Sequence, residues 1–268
     1  MGHYIEVEKG IKLFVEDIGE GKPVIFLHGW PANQRMFEYQ ANALIKEGYR
    51  FIGIDMRGYG KSDKPHRGYD YNRMADDLRE VIDQLEITDA TLLGFSMGGA
   101  ISIRYMARHL EHGVSKLILA GAAAPAFTNR ENFSAGIPKE NVDELIQASS
   151  TNRPAMLHDF GGQFFSQGVC EHFADWFKTL TLEAGGHATI QSAEALREED
   201  LRPCIDNISV PTAIFHGEKD KICPFDLAKE MEKSIQNSTL IPFANSGHSL
   251  FYDEQEKFNE ELIRFHKD

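Results

Sequence analysis

The chain opens with two short alternating runs, residues 4–7 and 12–18, on either side of Lys9-Gly10. Along a strand successive side chains point to opposite faces, so this alternation predicts an antiparallel hairpin with one covered face. After Gly19-Glu20-Gly21 the pattern changes: short, mostly apolar runs recur at 24–27, 51–54, 91–95, 116–120, 212–215 and 239–243. A strand without a polar face must be covered on both sides, as in a parallel sheet. Segments with helical spacing lie between these runs. Met74, Leu78, Val81, Ile82 and Leu85 fall on one face, while Asp76, Asp77, Arg79 and Asp83 fall elsewhere. Residues 36–46, 100–109, 227–235 and 254–265 behave in the same way. Strands that alternate with helices predict an α/β fold, a mostly parallel sheet with helices on both faces.

The alternation stops between residues 127 and 208. That stretch has helical patterning and many aromatics, among them Phe133, Phe160, Phe164, Phe165, Phe173, Trp176 and Phe177, and lacks a convincing buried strand. It is expected to be an inserted helical cap over the carboxyl edge of the sheet. The expected division is a core formed by residues 1–127 and 208–268, with the cap at 128–207. A length of 268 residues suits one large domain carrying such an insertion.

Composition changes this picture little. A hydrophobic fraction of 42% and a charged fraction of 26% are those of an ordinary globule. The formal charge of −13, with no local Lys/Arg cluster, argues against a nucleic-acid partner. Three unevenly spaced cysteines, Cys170, Cys204 and Cys223, and a start without an apolar leader pattern suggest reduced thiols in the cytoplasm. Glu6 stands where N-myristoylation needs Ser or Thr, and the longest apolar stretch, 117–127, is too short to span a bilayer. A soluble chain without a membrane partner is the expectation; a homo-oligomer is as compatible with it as a monomer.

The chemistry concentrates in Gly94-Phe95-Ser96-Met97-Gly98-Gly99, between the run 91–95 and the helical pattern from Ala100. A serine on a sharp strand-to-helix turn sits in a strained backbone, and glycines two before and two after it remove side chains that would block the turn. The hydroxyl is a poor nucleophile until a base takes its proton. Where such a turn carries a catalytic serine, the acid and then the histidine follow in chain order. His248 comes directly after the final apolar run and is the expected base. After the preceding run, His216-Gly217-Glu218-Lys219-Asp220 offers two carboxylates. Asp220, just ahead of Ile222-Cys223-Pro224, is the expected acid, and Glu218 the solvent-exposed competitor.

An oxyanion hole needs two N–H donors aimed at the charge that develops in the transition state. Met97 should supply one, and Trp30 in His28-Gly29-Trp30-Pro31 the other, because Pro31 has no N–H. Phe95, Phe127, Phe160 and Phe164 are expected to line an apolar substrate site. Asp55-Met56-Arg57-Gly58-Tyr59-Gly60-Lys61-Ser62 fails as a phosphate loop because Asp55 stands where the first glycine belongs. Asp55, Arg57 and His28 are read instead as tying loops together. His109 and His112 lack the spacing of the zinc motif, so no metal is expected.

With these residues in view, the chain resembles the cofactor-free haloperoxidase and aryl-esterase group of the α/β-hydrolase fold family. Three stretches carry the likeness: His28-Gly29-Trp30-Pro31, Asp55 through Ser62, and Gly94 through Gly99. The acid and base loops around Asp220 and His248 are similar to those of the wider fold. The resemblance implies hydrolysis of small-molecule carboxylic esters, a side reaction that makes peracids from hydrogen peroxide, and no cofactor. It weakens across the cap, which selects the substrate. Ser96 argues against epoxide hydrolases and dehalogenases, whose nucleophile is aspartate. A lactonase or carbon–carbon bond hydrolase would use the same three residues, and a ligand-binding relative that had lost catalysis would keep the fold.

Overall fold

The computed structural model describes residues 1–166 and 168–267. Eight strands form one sheet: β1 (Gly2–Glu8), β2 (Ile11–Ile18), β3 (Pro23–Leu27), β4 (Arg50–Ile54), β5 (Ala90–Phe95), β6 (Val114–Ala120), β7 (Thr212–Gly217) and β8 (Ser238–Phe243). Their order is β1-β2-β4-β3-β5-β6-β7-β8. The β1–β2 and β2–β4 pairs are antiparallel and every other pair is parallel. Every residue of β5 and β7 is buried, as their unbroken apolar runs require. At the two edges the patterns turn mixed, and Pro242, which cannot donate to a ladder, sits in the edge strand β8.

Helices α1 (Glu38–Lys46), α2 (Tyr71–Gln84) and α3 (Met97–Arg108) follow β3, β4 and β5. The chain order reverses around β3, with β4 on one side and β5 on the other. In open α/β sheets that switch point is where the loops beyond two adjacent strands diverge and leave a crevice. The loop after β3 carries His28 to Trp30, and the turn after β5 carries Ser96.

Three helices, α4 (Lys139–Gly162), α5 (Glu171–Leu182) and α6 (Gly186–Glu198), lie between β6 and β7. Asn152 breaks α4 with non-helical angles (φ −149°, ψ 70°), and Pro154 follows inside it. Pro154 has no N–H to continue the first half's ladder, and Asn152 Oδ1 accepts from Ala155 N at 3.3 Å as the cap of a new helix start, so the break belongs there. Their apolar faces, including Phe160, Phe177 and Leu180, join the same hydrophobic core as the sheet. Polar ties fasten this segment to the loops beyond β3 and β4. Trp30 Nε1 donates to Thr189 O at 2.9 Å, Asn33 Nδ2 to Glu183 Oε2 at 2.7 Å, and Gly185 N to Gly58 O at 2.8 Å.

Beyond the segment come α7 (Phe225–Ser234), α8 (Leu250–Asp253) and α9 (Gln255–Lys267). The pattern at 254–265 thus extends to the end of the described chain and is preceded by a separate short turn of helix. Helix α3 begins three residues before the expected Ala100. Gly98 and Gly99 have poor helix propensity and masked its first turn. No helix among the described residues is long and apolar enough to cross a membrane.

Candidate active site

Ser96 sits between β5 and α3 at φ 55°, ψ −118°. For a residue with a side chain this region is costly, and it persists only where the surroundings hold it. Two backbone bonds do so: Ser96 N donates to Ala120 O and Ala123 N donates to Ser96 O, each at 3.0 Å. The flanking glycines leave no alternative. A Cβ on Gly94 would lie 2.5 Å from Gly98 O, and one on Gly98 would lie 2.6 Å from His28 O. Ser96 itself is 6% exposed.

The loops after β7 and β8 bring Asp220 and His248 together, with Asp220 Oδ2 and His248 Nδ1 2.7 Å apart. Both side chains are fully buried. The other carboxylate oxygen, Oδ1, accepts from Ile222 N and Cys223 N, both at 2.9 Å. An ionised carboxylate is acceptor-only, so Nδ1 carries the proton and Nε2 is left as the basic nitrogen. Nε2 has no hydrogen-bond partner among the described residues. The imidazole is packed between Phe95 and Phe164, with each ring centroid 4.8 Å away. Glu218 lies on the solvent side of the same loop.

Sequence patterning did not single out the groups that hold this pair. His216 Nε2 is 2.8 Å from Cys223 O and 3.6 Å from Asp220 Oδ2. Burial, partly opposed by the nearby Asp220, lowers the His216 pKa, which favours a neutral ring. Burial also pushes the Cys223 thiol well above its usual range, with Asp220 adding and a hydrogen bond with Ser96 offsetting. Behind His248, Gly247 N and Ser166 N both donate to Asp253 Oδ2, at 2.8 and 3.0 Å. The one hint in the sequence was Asp220 two and three residues ahead of Ile222 and Cys223, the spacing at which an aspartate accepts from the backbone.

On the other side, the Trp30 N–H outside any helix or strand finds no acceptor among the described residues. Met97, as the first residue of α3, carries one of the donors that a helix start leaves free. The loop bearing Trp30 presses on the serine: a Cβ on Gly29 would lie 2.9 Å from Ser96 Cβ. Beneath it, Met56 N donates to His28 Nε2 at 3.1 Å, and burial lowers the His28 pKa to about 4, so the ring is neutral. Asp55 accepts from Gln34 N at 3.0 Å and Lys61 N at 2.8 Å, and Arg57 pairs with buried Asp77. These groups bind loops to one another. His109 and His112 pair separately with Asp76 and Asp83, each at 2.9 Å. Among the described residues no cluster of three or more His, Cys, Asp or Glu side chains could hold a metal ion.

A cavity of about 20 Å³ adjoins Ser96, walled by Trp30, Phe127, Leu145, Phe160, Leu196 and Ile222. Of the four phenylalanines expected to line a site, Phe127 and Phe160 therefore reach the serine. Phe164 lies with Phe160 along a neighbouring cavity, and Phe95 packs under His248 outside these linings.

Residues 22–255 match the family model described as "alpha/beta hydrolase fold". The chain is 56% identical to "AB hydrolase superfamily protein YisY" of Bacillus subtilis (strain 168), over 99% of both. Among solved structures it is similar to an esterase from Exiguobacterium antarcticum, with 54% identity, a TM-score of 0.99 and full coverage of both chains. It is also similar to a bromoperoxidase from Bacillus anthracis, with 33% identity, a TM-score of 0.97 and full coverage of both. The strained serine turn, the eight-stranded sheet and these likenesses agree, and the chain belongs to the α/β-hydrolase fold family.

Proposed function

We propose that this chain is a serine hydrolase that cleaves carboxylic esters of small molecules through an acyl-enzyme. The observation that carries the reading is the buried Asp220–His248 pair, which leaves Nε2 basic and unpartnered, in the same sheet edge as the strained Ser96. In the first step His248 Nε2 takes the Ser96 hydroxyl proton as Oγ bonds to the ester carbonyl carbon. The negative oxygen of the tetrahedral intermediate accepts from Trp30 N–H and Met97 N–H. When the bond to the alcohol breaks, the imidazolium returns its proton to the leaving oxygen. Water then attacks the acyl-enzyme, with the same base, and releases the acid. Asp220 holds the tautomer and orientation of the ring and stabilises the imidazolium. Residues 128–207 act as a cap that shapes the substrate site, and the esterase relative favours ester over lactone or carbon–carbon substrates.

Hydrogen peroxide is nearly the size of water and a stronger nucleophile. Attack by peroxide on the same acyl-enzyme breaks the ester bond to Ser96 Oγ and releases a peracid, which oxidises bromide in solution. The bromoperoxidase likeness supports this second reaction. The test is a panel of aryl esters, with wild type and Ser96→Ala compared for turnover. The reading expects loss of turnover by about 10⁶, as when a catalytic serine is removed elsewhere. Dye bromination in acetate and peroxide, with chelator present, should vanish with it. Bromination that survived Ser96→Ala would refute the peracid route.

A further inference from the structure

The cavity beside Ser96, at about 20 Å³, has room for about one water and none for the acyl group of an ester. Two larger cavities lie next to it, one of about 540 Å³ and one of about 410 Å³. The larger shares Trp30 and Phe160 with the serine cavity, and the smaller shares Phe127, Leu145, Phe160 and Ile222. Phe160 is the one described side chain common to all three. The wall between the serine and the larger space is thus the pair Trp30 and Phe160, packed edge to face with centroids 5.0 Å apart.

The two halves of that wall differ in freedom. Trp30 is pinned by its indole N–H to Thr189 O at 2.9 Å, whereas a phenyl ring has no polar group to tether it. Phe160 also lies beyond the break at Asn152, near the end of α4. The two glycines after it have nothing within 4 Å of where a Cβ would stand. The larger space carries the aromatic wall, with Trp30, Phe164, Phe165 and Phe177 on its lining beside the charged Glu171, Asp175 and Lys178, while the 410 Å³ cavity mixes Asn141, Glu144, Asp159 and Lys221 with Ile137, Leu145 and Met156.

We propose that Phe160 is the gate that sets acyl-chain length: it shuts the Ser96 cavity off from the 540 Å³ cavity, whose aromatic wall receives the acyl chain, while the leaving alcohol takes the 410 Å³ side. This rests on the ester-hydrolase reading above. An acetyl group needs only a small displacement of the ring, whereas a longer chain must pass it. Rotation of the phenyl ring, or movement of the half-helix beyond Asn152, opens the way.

The test compares kcat/KM for p-nitrophenyl octanoate and acetate, which share one leaving group. Phe160→Leu and Phe160→Ala should raise the octanoate-to-acetate ratio at least tenfold, an effect of about 1.4 kcal/mol. Ala174, exposed on α5, lines the 540 Å³ cavity, so Phe160→Ala combined with Ala174→Trp should plug it and return the ratio toward wild type. Stoichiometric labelling of each variant by a fluorophosphonate shows that the fold and the serine are intact. A labelled Phe160→Ala protein with the wild-type ratio would overturn the gate. A gain that survives Ala174→Trp would overturn the route of the chain. Octanoate and acetate hydrolysis that both persist in Ser96→Ala would instead sink the ester-hydrolase reading itself.

Discussion

A few side chains bear most of the proposed chemistry, and each contributes through what its neighbours forbid. Asp220 accepts two backbone N–H groups on one oxygen and His248 on the other, so its position is fixed before any substrate arrives. Asp220→Asn replaces the acceptor by a group able to donate, which favours the wrong imidazole tautomer. The kcat for an aryl ester is expected to drop by about 10⁴, while the exposed Glu218→Gln changes it little. Steady-state kinetics of the two variants checks this, and the opposite ranking would transfer the acid to Glu218. Gly98 is a second single-atom dependence, since a methyl there meets the carbonyls of Leu27 and His28. Gly98→Ala must move backbone, and the expected result is a large loss of activity with a lowered melting temperature. The sequence carried Ser96, Asp220 and His248 as candidates because order and turn chemistry mark them. It offered only the spacing of Asp220 ahead of Cys223, and His216 and Asp253 stayed hidden because how the loops after β7 and β8 curl onto themselves is decided by the fold.

Among the elements, strands were easier to read than helix ends and helices. The buried runs of β3 to β7 lack a polar face, which is a signal local to each strand. The start of α3 was hidden because Gly98 and Gly99 are chosen for close approach and not for helix propensity. The role of Phe95 was also hidden: its side chain, next to the serine in sequence, alternates downward and packs against His248, Phe37 and Phe251. The tie between the loop after β3 and helix α6 rests on one indole donor. Trp30→Phe keeps the backbone N–H but removes the indole bond to Thr189 O, which keeps its place in the α6 ladder, and is expected to cost about 0.5–1.5 kcal/mol of stability. Urea unfolding measures it; an unchanged midpoint and slope would mean that the tie carries no weight.

The whole molecule carries a net charge of −13, yet its response to acid depends on a few buried groups. His28 is held neutral by burial, with its pKa lowered to about 4. The unfolded chain takes up that proton near pH 6.5, so folding loses stability as pH falls from there toward 4. Asp55 works the other way. Burial, partly offset by the N–H groups of Lys61 and Gln34, raises its pKa to about 6. The folded state therefore binds this proton more tightly than the unfolded one, and stability is gained as pH falls through 6. Removing that gain with Asp55→Asn should make the variant lose about 2 kcal/mol relative to wild type between pH 7 and pH 4. Urea titrations at the two values check the sign; a pH-independent difference would contradict it. Neither group concerns the proposed chemistry, which would hang on a covalent bond at one oxygen. Peptide mass mapping after treatment with a fluorophosphonate measures that bond directly. The expected result is one stoichiometric adduct on the peptide containing Ser96, absent in Ser96→Ala and greatly slowed in His248→Ala. An adduct on another residue, or labelling of Ser96 at the same rate without His248, would contradict a serine nucleophile activated by that histidine.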